Sequence, residues 1–93
     1  MIMKIKKDSR KEYEILKSNI SYNIRKYRKM RKYTQEELSE FADISYDFMR
    51  RIESSEGKCG FSVFTLYKIA LALNVKVDEL MESKLLPKDE NIK

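Results

Sequence analysis

The sequence predicts an all-α fold, and three observations carry that prediction. Two Gly and one Pro among 93 residues are too few for the tight turns that an all-β chain of this length needs. Lys, Glu, Leu, Met and Arg, which favour helix, make up much of the rest. Apolar residues also recur at spacings of three and four, the period of a helix with one buried face. Ninety-three residues leave room for one small domain with tails, and none for a catalytic domain beside a sensor.

Five helical segments follow in order. Ser9 with Glu12 has the spacing of a capping box, and Tyr13, Leu16, Ile20, Ile24 and Tyr27 then form one stripe. A continuous helix and a leader helix followed by a second one from near Asn19 both fit, because Ser18 can also cap. Thr34 with Glu37 starts the next helix, Tyr33 can staple to Leu38, and Leu38, Phe41 and Ala42 form the expected buried face. Ser45 offers a new cap only three residues after Ala42, so two short helices joined by a tight turn make a helix-turn-helix. Ser54 to Phe61, which holds Gly57 and Gly60, reads as a surface loop. Ser62 caps a fourth helix with Leu66, Ile69, Ala70 and Leu73 on its inner face and Asn74 as a left-handed stop. Asp78 and Glu79 open a short fifth helix, with Val77, Leu80 and Met81 expected to face inward. Leu85, Leu86 and Pro87 end the ordered part, and Lys88 to Lys93 reads as a frayed polar tail.

Composition excludes several chemistries. With no His and a single Cys59, intrachain disulfides, zinc fingers and His-based catalysis are out, and no metal or cofactor is expected. No Ser, Cys or carboxylate has a base partner at useful spacing, so an enzyme is not expected. The longest apolar run, Ile69 to Leu73, is far short of a membrane span, and Met1 to Lys11 holds no signal-like apolar stretch; the expectation is a cytoplasmic protein. Charge is informative by position. Residues 1–33 hold 12 Lys/Arg against 3 Asp/Glu, a net of +9, while residues 34–93 hold 8 against 12, a net of −4. A polyanion suits that split, and so does a merely solvated helix face.

The third helix bears on that choice. On a wheel of about 100° per residue, Phe48, Met49 and Ile52 gather on one side, while Tyr46, Asp47, Arg50 and Arg51 gather on another. An apolar back and a hydrogen-bonding front near the helix N-terminus are what entry into a major groove requires. Arginine can bridge guanine O6 and N7, Asp can accept from cytosine N4, and Tyr46 can serve a phosphate or a thymine methyl. An ordinary amphipathic surface helix has the same wheel.

The order of these pieces adds more. The stretch from Ile20 to Arg28, Thr34 to Leu38, Ile44 to Glu53, Thr65 to Val75 and Val77 to Leu80 resembles the XRE-type helix-turn-helix regulators, the phage repressor and Cro group, over about residues 20 to 81. The resemblance implies a five-helix, lambda-repressor-like DNA-binding domain. By position it makes Gln35 and Ser45 contacts to DNA phosphate, and Tyr46, Asp47, Arg50 and Arg51 the residues that face bases. It pairs Arg28 with Glu53 in a structural ion pair tying the first helix to the end of the third. The chain departs from the family at Lys32 and Asp43, where Gly is usual, at Lys76, which replaces the usual cap of the fifth helix, in a loop about two residues longer, and at Asp47, a negative charge on the reading face.

The expected organisation is therefore a leader over residues 1–19, a helix-turn-helix domain over 20–83 and a tail over 84–93. A basic arm on DNA, a dimer element and a disordered tail all suit the leader. The expected function is a sequence-specific regulator of double-stranded DNA, a repressor acting as a homodimer on a pseudo-palindromic operator. Its dimer surface is sought at Leu80, Met81, Leu85 and Leu86 or at the leader. No small-molecule ligand domain is expected, so control falls to a protein regulator, neighbouring DNA sites or concentration. A protein-interaction adaptor or antitoxin-like partner with the same fold is the alternative, favoured by Asp47.

Overall fold

A computed structural model describes residues 9–54 and 59–83 of the chain. Its described elements are α1 (Ser9–Met30), α2 (Gln35–Ala42), α3 (Tyr46–Ser54), α4 (Val63–Leu73) and α5 (Val77–Leu80), and no strand occurs among the described residues. The open question at Ser18 is answered by one unbroken helix that runs through it. The expected tail, with Leu85 and Leu86, and Gly57 of the expected loop lie outside the described residues.

Local chemistry sets most of the boundaries. The Glu37 N–H donates to Thr34 Oγ1 at 3.0 Å and the Thr34 N–H donates back to Glu37 Oε1 at 2.9 Å, so the capping box at α2 is closed in both directions. The Phe48 N–H donates to Ser45 Oγ and the Thr65 N–H to Ser62 Oγ, each at 3.0 Å, starting α3 and α4. Lys76 supplies no capping acceptor, and α5 instead has the Glu79 carboxylate accepting from the Lys76 N–H at 2.8 Å. Helices α1, α2 and α4 stop the same way, through left-handed Lys32, Asp43 and Asn74 (φ 63°, 58° and 59°). After Asp43 the Ile44 N–H bonds Ser39 O at 3.0 Å, which closes the turn in the form that glycine usually serves. Asp and Asn tolerate this region; for Lys32 the cost is on the order of 1 kcal/mol.

The core draws on every helix: Ile20 and Ile24, Leu38 and Ala42, Met49 and Ile52, Leu66, Ile69, Ala70 and Leu73, and Leu80. Three expected inward residues are exposed. Tyr13 lies on the first turns of α1, before the first core residue of that helix, Ile20. Phe41 sits at the edge of the α2 stripe and packs edge-on against Tyr33, ring centroids 5.0 Å apart. Met81 follows the last residue of α5 and turns outward, while Leu80 is fully buried and is removed as a dimer surface.

Candidate nucleic-acid interface

Helix α3 is presented by its back. Met49 and Ile52 are fully buried, and Phe48 packs partly against the core. Its C-terminal carbonyls are held from α1: Ser21 Oγ donates to Ile52 O at 2.7 Å, and Arg25 donates to Glu53 O at 2.9 Å. These bonds satisfy acceptors that a helix end leaves open. The Glu53 carboxylate is buried and accepts from Arg28 Nε at 2.7 Å, from the second guanidinium nitrogen at 2.9 Å, and from Gln35 Nε2 at 3.0 Å. A further Arg28 donor reaches Tyr33 O at 2.9 Å, in the turn before α2. One buried carboxylate therefore fixes α1, α2 and α3 against each other, with the fork geometry that Arg and carboxylate share.

The front of α3 is open. The side chains of Asp47, Arg51 and Arg50 are 68, 63 and 54% exposed, and Tyr46 is exposed beside them. Asp47 stands between the two arginines, 3.2 Å from Arg50 and 3.3 Å from Arg51. Each guanidinium also lies against a ring, Arg50 over Tyr46 and Arg51 over Phe48, both at 5.8 Å. Exposed pairs of this kind are worth at most about 1 kcal/mol, whereas a bidentate Arg–guanine contact discriminates by about 1–3 kcal/mol. The Asp47 pairs therefore hold the two arginines only weakly. Beside this face, a cleft of about 230 Å³ is lined by Gln35, Arg50, Arg51 and Ser54. Among the described residues its lining has two cations, an amide and a hydroxyl, which suits an anionic oxygen.

A comparison with protein-family models matches the helix-turn-helix family over residues 24–80, more than half of the chain. The chain belongs to the XRE-type helix-turn-helix family. No curated protein and no solved structure matches it. The XRE-type domain is a DNA-binding regulator domain and not an enzymatic family, and double-stranded DNA is the partner it supports. No helix among the described residues is long and apolar enough to cross a membrane.

Within this XRE-type domain the expected residues fall into two groups. Tyr46, Asp47, Arg50 and Arg51 share one exposed face of α3, with Ser45 as its cap. Gln35 stands at the start of α2, where its amide is drawn to Glu53 while it also lines the cleft. The Arg28–Glu53 pair is buried and bidentate. Residues with no assigned role in the sequence reading complete the support. Asn23 Nδ2 donates to Leu80 O at 2.9 Å and Glu82 O at 2.8 Å, and Arg31 Nε donates to Leu73 O at 2.8 Å. Arg25, Arg28 and Arg31 thus serve internal acceptors, so part of the +9 charge of residues 1–33 holds the fold together instead of facing solvent. The spacing of Ser21, Arg25 and Arg28 at i, i+4 and i+7, on one line of α1, is the available signal.

Proposed function

We propose that the chain is a sequence-specific repressor that binds a pseudo-palindromic duplex operator as a homodimer, with α3 entering the major groove. The supporting observation is the contrast across α3: a back fixed by Met49, Ile52 and the Glu53 network, and a front of exposed Tyr46, Asp47, Arg50 and Arg51. In this reading Arg51 and Arg50 donate to guanine edges, Asp47 accepts from a cytosine amino group, and Tyr46 packs on a thymine methyl or a phosphate. Gln35 and the capped start of α3 at Ser45 set the register on the phosphates. Two-fold pairing places the half-sites about one helical turn, roughly 34 Å, apart. Regulation falls to a protein partner or to concentration.

Duplex binding against salt is the test. Log K should fall by about 0.9 per phosphate contact per log unit of salt. Arg51→Ala should relax the preference at one base pair at a cost of about 1–3 kcal/mol, whereas Gln35→Ala should weaken all duplexes nearly equally. Loss of equal size on every sequence for Arg51→Ala removes it as a reader. A second reading, a protein-interaction adaptor or antitoxin-like partner, draws on the double pairing of Asp47, which neutralises part of the α3 front. No duplex binding at low salt would favour it.

A further inference from the structure

We infer that the outer face of α4 is where a second copy of this chain docks, through Val63, Phe64, Tyr67 and Leu71. The inference rests on the homodimer proposed above and deepens it by assigning the surface. Helix α4 buries Leu66, Ile69, Ala70 and Leu73 in the core, yet its other side carries four large apolar residues that are 82, 64, 51 and 61% exposed. A helix apolar on two sides is one that is covered on two sides. At about 100° per residue these four fall within an arc of roughly 100°, the width of a packing stripe. The one charged residue of α4, Lys68, borders the stripe: its ammonium donates to Asp43 O at 3.0 Å and lies 4.7 Å over the Phe64 ring.

The spacing commits the stripe to a copy of itself. Its members are arranged nearly symmetrically about Tyr67, so two α4 helices crossing antiparallel on a two-fold axis set Val63 and Phe64 of one against Leu71 of the other. The two Tyr67 rings then meet at the axis, as an isologous contact requires. With large side chains exposing roughly 150–250 Å² when free, the exposed fractions amount to roughly 450 Å² per copy. Roughly 900 Å² from the two stripes lies below the about 1,200 Å² of standard interfaces, in the range of weak ones. The expected solution dimer is weak, in the micromolar range, and the operator strengthens it by holding both copies.

Sedimentation of the full chain across the micromolar range, alone and with Phe64→Glu and Leu71→Glu, reads this directly. The wild type should dimerise, and each variant should dimerise about 30-fold or more weakly while keeping its helicity, its melting temperature and its affinity for a single half-site. In a chain carrying Cys59→Ser and Tyr67→Cys, mild oxidation should give a covalent dimer, because cysteines at the axis come within the roughly 7 Å that a disulfide spans. A dimeric wild type whose two glutamate variants stay dimeric, or whose Tyr67→Cys variant does not cross-link, overturns the assignment to α4 and leaves the homodimer standing on another face. A wild type that is monomeric throughout and binds a full operator as a single copy overturns both.

Discussion

The buried Arg28–Glu53 pair sets a definite cost for losing one partner. In Arg28→Met the carboxylate of Glu53, a residue 1% exposed, loses two donors at 2.7 and 2.9 Å and among the described residues keeps the Gln35 amide, while Tyr33 O loses the bond that holds the turn before α2. Leaving a buried charge with its main partner removed costs about 3–5 kcal/mol, against a total near 5–14 kcal/mol for a domain of this length. The expected melting temperature falls by at least about 12 °C, at 4–8 °C per kcal/mol for domains of this size. Urea unfolding followed by circular dichroism measures the loss. Adding Glu53→Leu removes the stranded carboxylate, and the double variant should regain at least about 2 kcal/mol relative to Arg28→Met. A single variant that loses less than about 1 kcal/mol would put the pair among surface bridges, and a double variant as unstable as the two singles summed would refute the coupling.

Other perturbations separate support from reading. Asp47→Asn removes two exposed ion pairs, so urea stability should move by no more than about 0.5 kcal/mol, while affinity for random duplex at low salt should rise; an unchanged affinity would show that Asp47 does not restrain the arginines. Asn23→Leu strands the carbonyls of Leu80 and Glu82 and should cost about 1–3 kcal/mol, with amide exchange near α5 rising first; uniform exchange along the chain would contradict this local role. Burial, and then the carboxylates of Glu79 and Glu82, raise the Tyr27 phenol above its usual value near 10. Because the phenol ionises at lower pH in the unfolded chain than in the fold, its contribution to stability is full below about pH 10 and is lost as pH rises through the raised value. Melting temperatures over about pH 9 to 11 should therefore fall less steeply for Tyr27→Phe than for the wild type, and parallel curves would exclude Tyr27 as a source of alkaline lability.

Legibility follows the range of the interaction. Thr34 with Glu37, Ser45, Ser62 and Asn74 are readable because each cap is closed within a few residues, and each does in the structure what its spacing predicts. The exposed face shared by Tyr46, Asp47, Arg50 and Arg51 is readable because helical period alone groups them. Ser21 and Asn23 are not, since their acceptors lie 31 and 57 or more residues away and are backbone carbonyls, which carry no side-chain signature. Lys32 adopts left-handed backbone that its residue type does not favour, so the packing of the flanking helices overrides propensity there, while Asp43 tolerates the same region where glycine is usual. Gln35 has the position the family pattern gives it, but its bond to Glu53 depends on how α2 and α3 meet, which no local spacing encodes. Periodicity puts Phe41 in the core, and the structure puts it at the core's edge, where Tyr33 is the nearer partner.

One rod, α1, supplies the donors that finish three other helices: Ser21 and Arg25 for α3, Arg31 for α4 and Asn23 for α5. The C-terminal end of α3 is consequently tied to α1. A change in α1 that moves these four side chains therefore reaches the ends of α3, α4 and α5, although none of the four belongs to the α3 front.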